Sequence, residues 1–229
     1  MPRTARLVMD GGTYHVLTRG NNRQTVFHDA EDFQRYLQLL SSYAQEFQLL
    51  VYHFVLMPNH VHLVLEAVHG EMLSKAMLGL NLTYALYYRR RYEYSGHLWQ
   101  GRFKSLLIDR DSYLLACGRY VELNPVRAQV TEDPGSYFWS SYRTYAAGIP
   151  NPLLARHPLY DALGTTPQVR QQRYRAFVLL GMQTPQPTNL TRYHFIAGTP
   201  DTLKTFEKQF GIIAARRTRG RPRKCHDAR

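Results

Sequence analysis

The sequence predicts an α+β protein, in which a four-stranded antiparallel sheet carries helices and a small helical segment follows. Three observations predict it. Short β-type runs recur at residues 13–18, 49–57, 60–66 and 103–108. Longer runs with apolar residues at helical spacing follow the first and third of them. Finally, 229 residues at 44% hydrophobic and 20% charged are enough for one well-packed core and a small satellite.

The elements follow in order. TYHVLT is a short strand that ends in the basic, turn-forming RGNNR. Asp29 is placed to cap a helix in which Phe33, Leu37, Leu40, Ala44 and Phe47 recur on one face. Residues 49–57 form a second strand, Pro58-Asn59 is turn chemistry, and residues 60–66 return as the third, making a hairpin. Leu73, Met77, Leu80, Tyr84 and Tyr87 mark a second helix over about residues 71–92, with the basic end Arg89-Arg90-Arg91. The loop SGHLWQGR leads to a fourth strand, residues 103–108. Asp109 or Asp111 then caps a third helix that runs to Asn124, where Pro125 bends or stops it. The order β-α-β-β-α-β matches the ferredoxin-like split βαβ arrangement, with both helices on one face of the sheet and the other face open to the added helix.

Beyond Gly148 the composition changes. GIPNP reads as a linker, and helical segments are expected at residues 167–182 and 201–211. The expected division is 1–148 for the main domain, 149–215 for a helical accessory segment and 216–229 for a basic, flexible tail.

The formal charge of +12 favours a polyanionic partner, nucleic acid first. No apolar run is long enough to span a bilayer, and MPRTARLVMDGG lacks the apolar stretch of a signal peptide. Two distant cysteines, Cys117 and Cys225, suit a reducing compartment. A cytoplasmic protein is expected.

The candidate site begins with MPNHVHLVLE. Strand alternation puts His60, His62, Val64 and Glu66 on one face and Val61, Leu63 and Leu65 on the other. The aliphatic face should pack on the two helices, leaving the histidines on the open face. Two imidazoles about 7 Å apart grip one divalent cation if a third ligand approaches from elsewhere. Taken alone, the pair reads more readily as half-buried histidines bonded to backbone or water. In the third helix Tyr120 and Asn124 lie four apart on one face, about 5 to 6 Å from each other, whereas Glu122 points the opposite way. A hydroxyl and an amide delivered onto His60 and His62 would form a compact metal–tyrosine centre. The plainer alternative is a core tyrosine and a helix-capping asparagine.

These stretches together resemble a known family. His60-Val61-His62 is an HUH motif, and with GHLWQGRFK and RYVELNPVRA downstream the chain is similar to the single-tyrosine HUH transposases, nearest to the REP-associated tyrosine transposases. The resemblance covers about residues 13–128. It implies a ferredoxin-like catalytic core that cuts DNA through a tyrosine with a divalent metal, Mg²⁺ or Mn²⁺. By position it implies Tyr120 as nucleophile, His60 and His62 as ligands, and Asn124 where the family places an amide ligand. Relatives often carry the longer glutamine there. The implied substrate is single-stranded DNA displayed by a hairpin, and the implied location is the bacterial nucleoid. A monomer is expected for the REP-associated branch, and a homodimer that exchanges the tyrosine helix for other relatives.

Further contacts to DNA are expected from Arg19, Asn21, Asn22 and Arg23 in the first loop, and from Arg89, Arg90, Arg91, Arg102 and Lys104 on phosphates. Trp99 either stacks a base or folds back onto the core. The last fourteen residues carry seven Lys/Arg against one Asp, half the charge of the chain. There Arg219, Arg221, Arg223 and Lys224 resemble a minor-groove hook or a plain electrostatic tail. Two other functions fit the motifs less fully: a nucleic-acid-binding regulator without catalysis, and a phosphoesterase that activates water.

Overall fold

The computed structural model describes residues 8–108, 111–183 and 196–197. The expected helix at 201–211, the tail residues Arg219, Arg221, Arg223 and Lys224, and Asp109 lie outside the described residues.

The elements are β1 (Gly12–Arg19), α1 (Ala30–Glu46), β2 (Leu49–Met57), β3 (His60–Ala67), α2 (Gly70–Tyr92), β4 (Lys104–Ile108), α3 (Asp111–Glu122), α4 (Asn124–Arg127), α5 (Tyr142–Ala147), α6 (Pro158–Asp161), α7 (Pro167–Gln183) and β5 (Ile196–Ala197). The sheet order is β2-β3-β1-β4-β5. β1, β2, β3 and β4 pair antiparallel in the ferredoxin-like order, and the two-residue β5 adds a parallel edge on β4. That edge strand falls in the stretch expected to be helical.

Alternation divides the sheet as the sequence predicts. Val61, Leu63 and Leu65 of β3 join Tyr14 and Val16 of β1 against Leu40 of α1 and Leu73, Met77 and Leu80 of α2. This is the larger core. Asp29 caps α1, its carboxylate accepting from the backbone N–H groups of Glu31 and Asp32. On the other face Val55, Val64, Leu106 and Ile108 pack against Leu114, Cys117, Tyr120 and Val121 of α3. A third cluster gathers Leu123, Tyr145, Tyr160, Tyr174 and Val178 from the end of α3 and from α5, α6 and α7.

Two local features set α3 on the sheet. A bulge at Val51/His53 puts both Tyr52 and His53 on the α3 side, where His53 pairs in register with Val64. Above it, Gly118 lets the helix come close: a Cβ there would lie 2.5 Å from His53 Nε2. The second is Glu122, fully buried. Its carboxylate accepts from His53 Nδ1 (3.0 Å), Ser141 Oγ (2.6 Å) and Tyr174 OH (2.7 Å). One buried carboxylate therefore joins β2, α3, the loop before α5, and α7.

The third helix stops at Glu122, two residues short of the expected Asn124, and a new turn starts beyond Leu123. Pro125 has no N–H to give to the carbonyl of Val121. The Asn124 side chain takes up the loss, its Nδ2 donating to Tyr120 O (2.8 Å) and Val121 O (3.1 Å).

Gly118→Ala tests the close approach. Helix propensity alone would stabilise the variant by about 0.5 to 1 kcal/mol. The clash with His53 should instead destabilise it by about 1 to 3 kcal/mol, read as a lower midpoint in urea unfolding.

Candidate active site

The site lies on the α3 face of the sheet, at the end where β1 finishes and β3 begins. The register pairs Arg19 with His60 and Leu17 with His62. His60 and His62 lie with ring centroids 5.0 Å apart. Tyr120 comes down from α3, its ring 5.7 Å from that of His62 and edge-on to it. The structure thus brings together three of the four residues expected to form the centre. Asn124 is joined to Tyr120 through the Nδ2 bond to its backbone carbonyl already described.

The hydrogen bonds of the two histidines define their free nitrogens. His60 Nδ1 lies 2.6 Å from Asn59 Oδ1. Asn59 Nδ2 donates to the carbonyl of Arg23 (3.1 Å), which fixes the amide with its oxygen toward His60. A carbonyl oxygen only accepts, so His60 carries its proton on Nδ1 and presents Nε2 as a bare lone pair. His62 Nδ1 lies 2.8 Å from Nε2 of a third histidine, His15 of β1. Both rings are buried and stack at 15°.

Electrostatics keep the site uncharged on its histidines. Burial holds His15 at about 4, and burial with the Arg19 guanidinium holds His60 at about 4. His62 is pushed well below its ordinary value by burial, then by His15, His60 and Arg19. Neutral imidazole is the ligating form. Burial pushes the Tyr120 hydroxyl up, Arg127 pulls it down, Cys117 adds to the rise and Arg19 opposes it. The Arg127 guanidinium sits 5.5 Å from the centre of the Tyr120 ring, and its buried Nη1 has no hydrogen-bond partner among the described residues. Among the described residues no group of three His, Cys, Asp or Glu side chains is placed to hold a metal ion.

The basic residues divide by what they touch. Arg19, Arg102 and Lys104 line a small cleft of about 40 Å³ with Gln100 and Gly101, on the side of β1 toward β4. Asn21, Asn22 and Arg23 form a 3-10 turn, with Asn22 and Arg23 exposed and in the left-handed region. Arg89 and Arg90 are exposed at the end of α2. Arg91 is engaged by three carboxylates, Asp29 (2.7 Å), Glu31 (3.0 Å) and the buried Asp32 (2.9 Å). Trp99 folds back toward the larger core, donating from Nε1 to Asn81 O (2.9 Å). Sequence reasoning missed His15 and Arg127. Alternation along TYHVLTR puts His15 on the face of Leu17 and Arg19, a signal that becomes usable once β1 is known to lie beside β3.

Comparison with known proteins gives the chain a family and its fold related structures. A family model described as "Transposase IS200 like" matches residues 9–124. The structure of a REP-associated tyrosine transposase bound to a REP hairpin shares the fold, with a TM-score of 0.56 at 16% identity over 69% of this chain and 92% of that one. A transposase candidate from Deinococcus radiodurans R1 aligns with a TM-score of 0.37 at 19% identity, over 58% of this chain and 94% of that one. No curated protein matches.

The buried neutral histidines make stability depend on pH. Their folded values lie below the ordinary 6.5, so between the two values the unfolded chain binds more protons. Stability is full above about pH 6.5 and falls as pH drops toward about 4. His15→Phe should flatten that slope in unfolding measurements across this window.

Proposed function

The chain belongs to the IS200-like transposase family, and on that premise we propose that it is a metal-dependent endonuclease and strand transferase of HUH type, acting on single-stranded DNA. The observation that carries this is the convergence of Tyr120 with His60 and His62, two imidazoles that have Nδ1 engaged and Nε2 unspent. The hairpin-bound structure of the REP-associated transposase supports a hairpin or REP-type palindrome as the form of the substrate.

The donor set fits the Mg²⁺ or Mn²⁺ that such chemistry uses. His60 and His62 would hold the ion through Nε2, with Asn124 Oδ1 as the third protein ligand. Once bound, the ion would polarise the scissile phosphate and neutralise its developing charge. The rest falls to the chain's own residues. Tyrosine titrates at about 10 unperturbed and is a reluctant nucleophile. The cation on the Tyr120 ring face, Arg127, favours the phenolate that burial disfavours. Attack by the Tyr120 oxygen on phosphorus forms the Tyr–O–P bond and breaks the P–O3′ bond. The products are a 5′-phosphotyrosine and a free 3′-OH. The tyrosyl ester keeps the energy of the backbone bond, so a second 3′-OH can reverse the attack and join strands.

Arg19, Arg102 and Lys104 form a cationic cleft next to this centre and would track the phosphates leading into it. Asn21, Asn22, Arg23, Arg89 and Arg90 would add further contacts to DNA. Residues 1–148 would be the catalytic domain, 149–215 an accessory segment, and 216–229 a DNA-binding tail. The proposed state is a monomer, with a homodimer that exchanges the tyrosine helix as the alternative. Among the described residues no helix is long and apolar enough to cross a membrane, and the proposed setting is the bacterial nucleoid.

Labelled hairpin oligonucleotides incubated with the protein and Mn²⁺ should yield a covalent adduct stable in denaturing gels. Tyr120→Phe should abolish the adduct while hairpin binding in native gels persists. Cleavage without any adduct would point to a water nucleophile. Binding without cleavage across a broad set of hairpins would point to a regulator.

A further inference from the structure

We propose that His15 is a positioning residue for the metal-binding centre: it accepts the His62 Nδ1 proton and so directs the Nε2 lone pair of His62 to the open face. The inference rests on the metal-site reading above and adds a residue to it.

The geometry narrows the chemistry to one choice. His15 Nε2 and His62 Nδ1 face each other at 2.8 Å, buried in the sheet, and a single proton lies between them. If it sits on His15, then neutral His62 carries its own proton on Nε2 and that nitrogen cannot ligate. If it sits on His62, then Nε2 is a lone pair and His15 must carry its proton on Nδ1. Only the second arrangement gives the pair of histidines the same form, because the Asn59 carbonyl already forces it on His60. His15 is then to His62 what Asn59 is to His60. A ligating imidazole whose other nitrogen donates to a fixed acceptor is held in orientation and tautomer, and is a more basic ligand.

The backbone makes this contact specific. β1 lies beside β3, and His15 pairs with Val64, two residues from His62 on the same face. The two rings overlap at 5.0 Å between centroids, and each also meets the Tyr120 ring edge-on at 5.7 Å. His15 therefore touches both the ligand and the helix residue proposed as nucleophile. Leu106 of β4 flanks it in register on the other side.

The test uses the full-length protein labelled with ¹⁵N-histidine, without metal, and long-range ¹H–¹⁵N spectra that distinguish the two tautomers. A His62→Ala spectrum identifies the His62 signals. The wild type should show His62 protonated on Nδ1. His15→Phe, which keeps a ring but removes the acceptor, should move His62 toward the Nε2–H form. His15→Gln, whose side-chain carbonyl can accept the same proton, should keep it on Nδ1. Calorimetric titration with Mn²⁺ gives the second readout. His15→Phe should bind on the order of 10- to 100-fold more weakly, and His15→Gln should recover most of that loss. A wild-type His62 protonated on Nε2 overturns the proposal. So does a His15→Phe variant that binds Mn²⁺ as tightly as wild type while His62→Ala does not bind. If His62→Ala binds Mn²⁺ like wild type, the metal-site reading itself fails and the proposal with it. Should His15→Phe fail to fold, the wild-type tautomer and His15→Gln still decide the matter.

Discussion

The buried carboxylate of Glu122 holds the helix on which the site depends. A charge-bearing group with no solvent exposure is costly unless every lone pair it presents is met. Here three donors, from β2, the loop before α5, and α7, meet it. Each donor comes from a different part of the chain, so satisfying the carboxylate fixes where α3 can lie. Two residues earlier in the same helix, Tyr120 points the other way, onto the histidines. The anchor and the proposed nucleophile are opposite faces of one short helix. The segment after residue 149 takes part in this, because Tyr174 of α7 supplies one of the three donors.

The sheet supplies the other half of the centre by alternation alone. Every second residue of β3 is drawn to the larger core by α1 and α2, which commits His60 and His62 to the face those helices leave open. Register then places β1 residues beside them: Arg19 next to His60, and His15 within hydrogen-bonding reach of His62. The result is a row of neutral imidazoles bounded by cations. Burial keeps the rings uncharged, and Arg19 pushes His60 and His62 in the same direction. The same burial works against ionising Tyr120, and the guanidinium stacked on its ring opposes that cost.

Much of this arrangement is legible in the residues. Periodicity and turn chemistry give the order of the first six elements, and the order gives the ferredoxin-like sheet. Alternation in HVHLVLE and the helical position of Tyr120 bring His60, His62 and Tyr120 to one face. What the residues hide is pairing across the chain. His15 reads as an ordinary strand histidine until the sheet order puts β1 beside β3. Glu122 reads only as pointing away from Tyr120, because its three donors lie 19 to 69 residues away in sequence. Arg91 sits in a basic triplet that suggests phosphate contact, yet the cap of α1 and the buried Asp32 claim its guanidinium. For Trp99 the residues leave open whether it stacks a base or folds back, and a backbone carbonyl of α2 draws its indole inward. The end of α3 shows the limit of local rules. Pro125 marks a break correctly, but how its missing donor is replaced, by the Asn124 side chain, emerges only in three dimensions.

In the proposed centre His60 and His62 present two bare Nε2 atoms to one divalent cation beside Tyr120. Pulsed electron paramagnetic resonance of Mn²⁺ bound to the full-length protein tests it most directly, because ¹⁴N modulation reports directly coordinated imidazole. Two coordinated nitrogens are predicted, with one lost in His60→Ala and one in His62→Ala. Bound Mn²⁺ with no nitrogen coupling, or with coupling unchanged in both variants, would contradict the account.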